Sequence, residues 1–286
     1  MTDNDWLMAL LLDVHRGLPR QGPGDDASTL RALESCADLP MRPDVLDVGC
    51  GPGMQTVALA QASGGTVAAV DLFEQFLDEL RDRAVEAGVR ERIQVMRGDM
   101  TDMPFGKNSF DLIWSEGAAY IMGITAAFQA WKPFLRAQGY LVVSEIVWLT
   151  DDVPGELYDF FHAEYPGITN VPGNLSRIEK CGYEIVDHFT LPAESWFTHY
   201  YDPLAANLKA MRLKYARDPQ ALRFIEESED EQRLRREYAD AYGYEFIVTR
   251  LIDPDAPRPK EQLTSMPDIG DDRDFLAPRD LPRDID

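Results

Sequence analysis

The part of the chain that most constrains its fold is a short buried strand followed at once by three closely spaced glycines. The segment 45–48 is largely apolar, and Gly49, Gly51 and Gly53 come directly after it. Glycine permits the left-handed backbone angles of a tight turn and lets a ligand approach the main chain. A helix predicted to begin near Met54 offers unpaired N–H groups at the same place. The pattern therefore predicts a ligand-binding loop between a strand and a helix.

Short apolar strands alternate with helices after this loop. Strands are expected over residues 66–70, 93–96, 110–114 and 139–146, with helices over 73–87 and 126–135. Buried strands that alternate with helices indicate a parallel sheet covered on both faces. We expect a single α/β domain, doubly wound around a mostly parallel seven-stranded sheet, that binds its ligand at the carboxyl ends of the strands.

We expect this domain to occupy residues 1–252, with three functional regions inside it. Residues 1–40 are predicted to form an N-terminal helical cap, 41–150 the cofactor-binding core, and 192–242 a helical insert on the acceptor side before the last strand. Residues 253–286 are acidic and rich in proline, which predicts a tail that is flexible or draped over the surface.

The charge of the chain excludes some classes of partner. It carries 50 acidic against 28 basic residues, a net charge of -22, so phosphate backbones and anionic membrane surfaces are repelled on average. We find no apolar run long enough to span a membrane and no basic start typical of a signal peptide, so a cytoplasmic location is expected. No metal site is predicted, because the four histidines are scattered and no cysteines form a C-x-x-C pair. The expected partner is a small molecule. Whether the chain forms a homodimer is left open by the sequence.

The spacing of the glycines separates two classes of ligand. A dinucleotide fingerprint would place its third glycine at position 54, but that residue is Met54 and the glycine falls one residue early. Asp47 precedes the loop, and a carboxylate there suits a cationic ligand better than a pyrophosphate. The loop therefore favours a sulfonium amino acid over NAD.

On these residues the chain resembles the class I S-adenosylmethionine-dependent methyltransferases. The likeness is most specific over residues 40–150. It extends loosely to about residue 252, where the chain is similar to a bacterial subgroup of small-molecule or uncharacterised methyltransferases. The segments 20–24 (RQGPG), 114–117 (WSEG) and 199–201 (HYY) resemble the markings of that subgroup. The resemblance implies methyl transfer from S-adenosylmethionine to a small organic acceptor.

The resemblance also implies which residues hold the cofactor. Asp71 lies 18 residues after Gly53, at the end of the second strand, and would accept both ribose hydroxyls. Asp99 would accept from the adenine amino group, with Met100 near the ring. The segment that begins at Arg20 has two glycines and one proline and is expected to close over the cofactor. The residues expected to contact it are Arg20, Asp47, Gly49, Gly51, Gly53, Asp71, Leu72, Asp99, Met100 and Ser115.

Glu116 follows the fourth predicted strand, where the resemblance places the transferred methyl group. Glu116 is predicted to act as a base or to bind a cationic acceptor, although it could instead bind the amino group of the cofactor. Tyr120 would lie on the same side, and His199 is the rival base. Three aromatic residues are expected to bind the acceptor, although they could equally pack the insert onto the sheet: Trp196, Tyr200 and Tyr201.

Two further functions stay open at this point. A nicotinamide-dependent oxidoreductase would use the same kind of fold, but the misplaced third glycine counts against it. A non-catalytic S-adenosylmethionine-binding protein would keep the glycine loop and lack an acceptor pocket. The Asn-Pro-Pro-Tyr motif of amide and nucleobase N-methyltransferases is absent after the fourth strand, where residues 114–117 read WSEG. This favours a small organic acceptor.

Overall fold

A central β-sheet organises the computed structural model, which describes residues 3–252. Its strands are β1 (Asp44–Val48), β2 (Thr66–Asp71), β3 (Ile93–Arg97), β4 (Phe110–Glu116), β5 (Leu135–Trp148), β6 (Thr169–Asn170), β7 (Tyr183–Thr190) and β8 (Tyr242–Leu251). The α-helices are α1 (Asp3–His15), α2 (Asp26–Glu34), α3 (Met54–Ser63), α4 (Glu74–Glu86), α5 (Ile124–Trp131), α6 (Gly155–Glu164), α7 (Val171–Lys180), α8 (Asp202–Lys214) and α9 (Pro219–Glu237). The tail predicted over 253–286 lies outside the described residues.

The order of the strands across the sheet is β3-β2-β1-β4-β5-β8-β7, with β6 paired to β5. Strand β8 is antiparallel to both of its neighbours, and the other pairings are parallel. The predicted doubly wound, mostly parallel α/β fold is confirmed. The predicted count of seven strands is corrected to eight in the described chain, because the two residues of β6 are too few to show a periodic pattern.

Both faces of the central strands are covered, as a parallel sheet requires. Val45 and Leu46 of β1 are both fully buried, and they belong to different apolar clusters on opposite faces. Trp114 and Ile113 of β4 likewise belong to different apolar clusters on opposite faces of the sheet. Because successive side chains of a strand point to opposite faces, a continuous apolar run is what such a strand needs.

The N-terminal helix α1 belongs to the main apolar core. Leu10 and Val14 are at most 1% exposed, and so is Leu18 just beyond the helix. Helix α1 packs against α8, whose Asn207 side chain donates to the carbonyl oxygen of Val14 at 2.8 Å. Helix α1, at the start of the described chain, thereby contacts α8, which precedes β8. The division into cap, core and insert stays a prediction.

The neighbouring strands β1 and β4 mark the place where the chain reverses its direction of travel across the sheet. In open α/β sheets, ligands bind in the crevice outside the carboxyl ends of the strands at such a point. Within residues 3–252, no helix combines the length and the apolar character needed to cross a membrane.

Candidate functional site

The glycine loop joins β1 to α3 at the carboxyl edge of the sheet. The Gly49 N–H donates to the Val70 carbonyl at 2.8 Å, which fixes the loop against the end of β2. Gly51 and Gly53 have φ values of +53° and +78°, in the left-handed region that other residues rarely adopt. A Cβ atom on Gly53 would also lie 2.1 Å from Leu80 Cδ1. Backbone angle and packing against α4 therefore require glycine at position 53.

Asp71 ends β2 and supports the loop. Its Oδ2 accepts from the Gly51 N–H at 2.8 Å, and its Oδ1 accepts from the Phe73 N–H at 3.0 Å. Burial raises the pKa of the Asp71 carboxyl, and these backbone hydrogen bonds oppose the rise. An ionised carboxylate has about four acceptor positions, so two remain for hydroxyl groups of a ligand.

A cavity of about 740 Å³ runs along this edge of the sheet, within the usual size range of small-molecule sites. The glycine loop, the ends of β2 and β4 and the segment between α1 and α2 form its wall. The cofactor residues predicted from the sequence that line it are Arg20, Gly49, Gly51, Asp71, Leu72, Asp99 and Met100.

One end of the cavity combines flat apolar side chains with an exposed carboxylate. The Phe73 and Phe76 rings meet edge to face, with centroids 5.7 Å apart. Oδ1 of Asp99 accepts from the N–H and the hydroxyl of Thr101 at 2.8 and 2.7 Å, and these bonds lower the pKa of Asp99. Oδ2 of Asp99 makes no hydrogen bond within residues 3–252 and stays available to a ligand.

Arg20 and Glu116 form an ion pair on the cavity wall. Nη1 of Arg20 lies 2.5 Å from Oε2 of Glu116, and each side chain is only 4% exposed. The other oxygen of Glu116 accepts from the Thr29 hydroxyl at 2.7 Å and from the Trp114 indole at 2.9 Å. Nη2 of Arg20 also reaches Asp26 at 3.2 Å.

This geometry corrects the role predicted for Glu116. Both of its oxygens are engaged by donors, and the charge of Arg20 neutralises it, so it is not a free base or an open cation binder. The sequence could not show this, because Arg20 is 96 residues away along the chain. The pair fastens the segment between α1 and α2 to the end of β4.

Three residues predicted to contact the cofactor lie behind the cavity wall, which is a further correction: Asp47, Gly53 and Ser115. The Thr56 hydroxyl donates to Oδ2 of Asp47 at 2.6 Å, and the Ser115 hydroxyl donates to the Val48 carbonyl at 2.9 Å. Burial is the main cause that raises the pKa of Asp47 to about 7. Its buried Oδ1 has no hydrogen-bond partner in the described chain.

The three aromatic residues that were expected to bind the acceptor do not all line the cavity. Trp196 and Tyr201 are at most 1% exposed and lie in the core, so the prediction that they bind the acceptor is wrong. The Tyr201 hydroxyl donates to Glu231 of α9 at 2.7 Å, whereas the buried indole N–H of Trp196 has no hydrogen-bond partner within residues 3–252. Tyr200 does line the cavity, and so does Tyr120.

His199 faces away from the cavity. It lies on a separate groove with Arg31 and Phe189, and that groove shares none of its lining residues with the cavity. Tyr200 and His199 are neighbours in the helical turn Phe197–Tyr201, yet they line different cavities. The prediction of His199 as a catalytic base is therefore corrected. Among residues 3–252, no group of metal-binding side chains is found.

The sequence reasoning missed residues of α1 and of the loop after β4. Leu11 and His15 line the cavity, and the His15 ring stacks on the Tyr200 ring with centroids 6.4 Å apart. Ile121 also lines the cavity. The spacing of Leu11 and His15 on one helical face was a usable signal, but only the packing of α1 shows where that face points.

The charges on the wall fit S-adenosylmethionine. Three carboxylates line the cavity, those of Asp71, Asp99 and Glu116, against one guanidinium, that of Arg20. The excess of negative charge suits a sulfonium and an ammonium group and opposes a pyrophosphate. The unpartnered oxygen of Asp47 behind the wall adds to this preference. The residues that would hold the cofactor are therefore present.

Comparison with known proteins agrees with this geometry. Residues 45–139 match the family described as "Methyltransferase domain". The chain is 27% identical over 148 residues to methyltransferase GfsG of Streptomyces halstedii, covering 50% of this chain and 53% of that protein. It is 25% identical over 180 residues to sterol 24-C-methyltransferase ERG6B of Gibberella zeae, covering 58% and 46%. The chain thus spans about half the length of these curated relatives.

A solved structure shares the fold. It is a SAM-dependent methyltransferase from Geobacter sulfurreducens in complex with S-adenosyl-L-homocysteine. The likeness has a TM-score of 0.71 at 19% sequence identity and covers 84% of this chain and 97% of that one. This likeness and the family match agree on the fold. Residues 45–139 thus match a methyltransferase domain, and the described chain has the fold of that S-adenosylmethionine-dependent methyltransferase.

Proposed function

We propose that the chain transfers a methyl group from S-adenosylmethionine to a small organic acceptor. The observation that carries this proposal is that one cavity has two chemically different ends. The glycine loop and Asp71 form a polar end suited to the cofactor. Leu11, Tyr120 and Tyr200 line an apolar, aromatic end that the cofactor residues leave free for a second molecule.

S-adenosylmethionine supplies a methyl group on a positively charged sulfur, which is already a good leaving group and needs no acid. The work left to the chain is to bind, orient and exclude water. Asp71 and Asp99 offer acceptors for orientation. The Arg20–Glu116 pair fastens the segment between α1 and α2 to the end of β4 on the cavity wall.

The same features support the class of acceptor. The cavity is bounded by α1 and by the segment before α2, which leaves room for a small molecule. The net charge of -22 opposes nucleic acid and anionic membranes. The cytoplasmic location and the open question of a homodimer stay predictions, and light scattering of the purified chain measures the latter.

The test has two stages. Calorimetry with S-adenosylmethionine and with NAD separates the methyltransferase from the oxidoreductase. We expect binding of the former alone, and the reverse would overturn the proposal. The full chain is then incubated with S-adenosylmethionine and a panel of hydroxyl, amine and thiol compounds, and S-adenosylhomocysteine is measured. Binding without turnover for every class would favour the non-catalytic alternative.

A matched variant protects the second stage from contaminating enzymes. Asp71→Ala is expected to lower turnover at subsaturating cofactor, because it removes two acceptor positions from the cofactor end. A product formed equally by the wild type and by this variant would come from another protein in the preparation.

A further inference from the structure

His15 ends α1 on the wall of the cavity, beside the aromatic ring of Tyr200. Its ring stacks on Tyr200 at an interplanar angle of 23°. Leu11, one turn earlier on the same helix, lines the same cavity. A molecule placed against Tyr200 would therefore meet the imidazole edge.

The hydrogen bonding of the ring fixes which nitrogen is basic. Nδ1 of His15 lies 2.9 Å from the carbonyl oxygen of Leu11. A carbonyl oxygen only accepts, so Nδ1 must carry the hydrogen and Nε2 must carry the lone pair. Nε2 has no hydrogen-bond partner in the described part of the chain, and it is not among the polar atoms sealed from solvent. It is therefore open to the cavity.

The charge state of the ring suits a base. Burial lowers the pKa of His15, and the hydrogen bond to Leu11 opposes this in part, so the ring is neutral at neutral pH. No charged neighbour contributes to the shift. The other titratable groups that line the cavity come from the loop before α2, the glycine loop, the ends of β2 and β4 and the segments after β3, β4 and β7. They are Arg20, Cys50, Asp71, Asp99, Glu116, Tyr120 and Tyr200.

Three other groups on the described cavity wall do not offer the same function. Glu116 is neutralised by Arg20, and the phenol of Tyr200 is held neutral because burial raises its pKa. Asp71 is engaged by backbone N–H groups at the cofactor end. His15 combines a free basic lone pair with a place beside the aromatic wall.

We propose that His15 is the general base of the acceptor site and that the acceptor group is a hydroxyl on an apolar body. The inference rests on the proposed methyl transfer. A cationic amine would need an open carboxylate at this end, and Glu116 is already paired. A neutral hydroxyl must lose its proton during transfer, which is the task of a base.

Nε2 of His15 takes the hydroxyl proton while the oxygen forms a bond to the methyl carbon. The carbon–sulfur bond breaks, and its electron pair stays on sulfur, leaving a neutral thioether. The products are a methyl ether, S-adenosylhomocysteine and a protonated His15, which returns its proton to solvent.

The first experiment reads the ring directly and needs no turnover. The full chain is labelled with ¹⁵N-histidine, saturated with S-adenosylhomocysteine and studied by NMR, with the His15 signals assigned by a variant. We expect a neutral ring at pH 7 with the proton on Nδ1 and a pKa below 6.5. A proton on Nε2, or a charged ring at pH 7, would overturn the proposal.

The second experiment measures turnover with 4-propylphenol and its amine and thiol counterparts. His15→Asn keeps a donor near the Leu11 carbonyl and removes Nε2, whereas His15→Gln places an amide near the position of Nε2. We expect both variants to slow methylation of the phenol by about 100- to 10,000-fold, the usual contribution of a base, with unchanged affinity for S-adenosylmethionine. The wild-type rate should decrease at pH values below the pKa of His15. The residual rate of the variants should not show this decrease.

Controls separate the possible failures. His162→Asn alters an exposed histidine of α6 and should leave the rate unchanged. A large loss in His199→Asn with none in His15→Asn would overturn the assignment. Methylation of amines alone would overturn the hydroxyl acceptor, whereas failure to bind S-adenosylmethionine would overturn the proposed function itself. If no probe is methylated, the NMR result decides the role of the ring.

Discussion

Arg20 and Glu116 are 96 residues apart in the chain, and their side chains meet in a buried ion pair with 2.5 Å between Nη1 and Oε2. The pair joins the loop before α2 to the end of β4, across the mouth of the cavity. Removing one partner of a buried pair leaves the other charge without compensation in a poorly solvated place. The closed form of the loop therefore depends on both residues.

The pair can be tested by a double-mutant cycle. Glu116→Gln and Arg20→Met are each expected to lower the free energy of unfolding by about 3–5 kcal/mol, because each leaves a buried polar or charged group unpaired. The double variant should lose less than the sum of the two, and urea denaturation measures all three. Additive losses would show that the two side chains do not interact in solution.

Deleting residues 1–24 is expected to unfold the domain. The deletion removes Leu10, Val14 and Leu18, which are at most 1% exposed, and burial of each such side chain contributes about 1.5–3 kcal/mol. The sum is comparable to the whole stability of an ordinary domain. Circular dichroism on heating measures the outcome. A truncated chain that unfolds cooperatively at the wild-type temperature would show that α1 is a removable lid.

Asp71→Ala is expected to weaken binding of S-adenosylmethionine by about 2–4 kcal/mol, since two charge-assisted hydrogen bonds to the ribose would be lost. Calorimetry measures the dissociation constant. Asp71 also accepts from Gly51 and Phe73, so the variant could loosen the loop. Asp71→Asn keeps the shape and one acceptor, and it should bind with intermediate affinity.

Asp99→Ala serves as the comparison at the other end of the cofactor. Asp99 is exposed, and one of its oxygens is already engaged by Thr101, so a single hydrogen bond to the cofactor is at stake. We expect a smaller loss of affinity than in Asp71→Ala. Equal losses of affinity in the two variants would contradict the assignment of Asp71 to the ribose and of Asp99 to the adenine.

Local patterns were enough to predict the fold and the cofactor end. The glycine loop follows β1, Asp71 ends β2 and Asp99 lies two residues beyond β3. Strand ends of a parallel sheet meet at one edge. The strand β6 escaped prediction because it has two residues and is defined only by its pairing with β5. Elements with their own periodicity are predictable in this chain, and elements defined by a partner are not.

The acceptor end could not be predicted because packing decides it. Trp196 and Tyr200 are four residues apart in one aromatic segment, yet one lies in the core and the other on the cavity. The sequence indicated His199 as a possible base and did not single out His15. Only the packing of α1 against α8 brings His15 to the cavity, and no local signal contains that contact.

Glu145 is a buried carboxyl group on β5, away from the cavity wall. It is 1% exposed and lies opposite Glu245 of β8 in the strand register. Glu245 accepts from His188 at 2.6 Å and from Thr190 at 2.7 Å. The Tyr165 hydroxyl approaches Glu145 without the geometry of a normal hydrogen bond, and burial outweighs its effect, raising the pKa of Glu145 to about 8.

This carboxyl should make the domain less stable as the pH rises. Between the unfolded pKa of 4.5 and the folded pKa of about 8, the native state binds the proton more tightly, so the free energy of unfolding falls by up to about 1.4 kcal/mol per pH unit. Glu145→Gln should remove that slope, as urea denaturation from pH 5 to 8 would measure. Asp47 contributes the same pH dependence to the wild type and to Glu145→Gln. The difference between the slopes of the two proteins is therefore due to Glu145. The exposed Glu184→Gln should keep the wild-type slope, and a parallel pH dependence in Glu145→Gln would mean that Glu145 is ionised when folded.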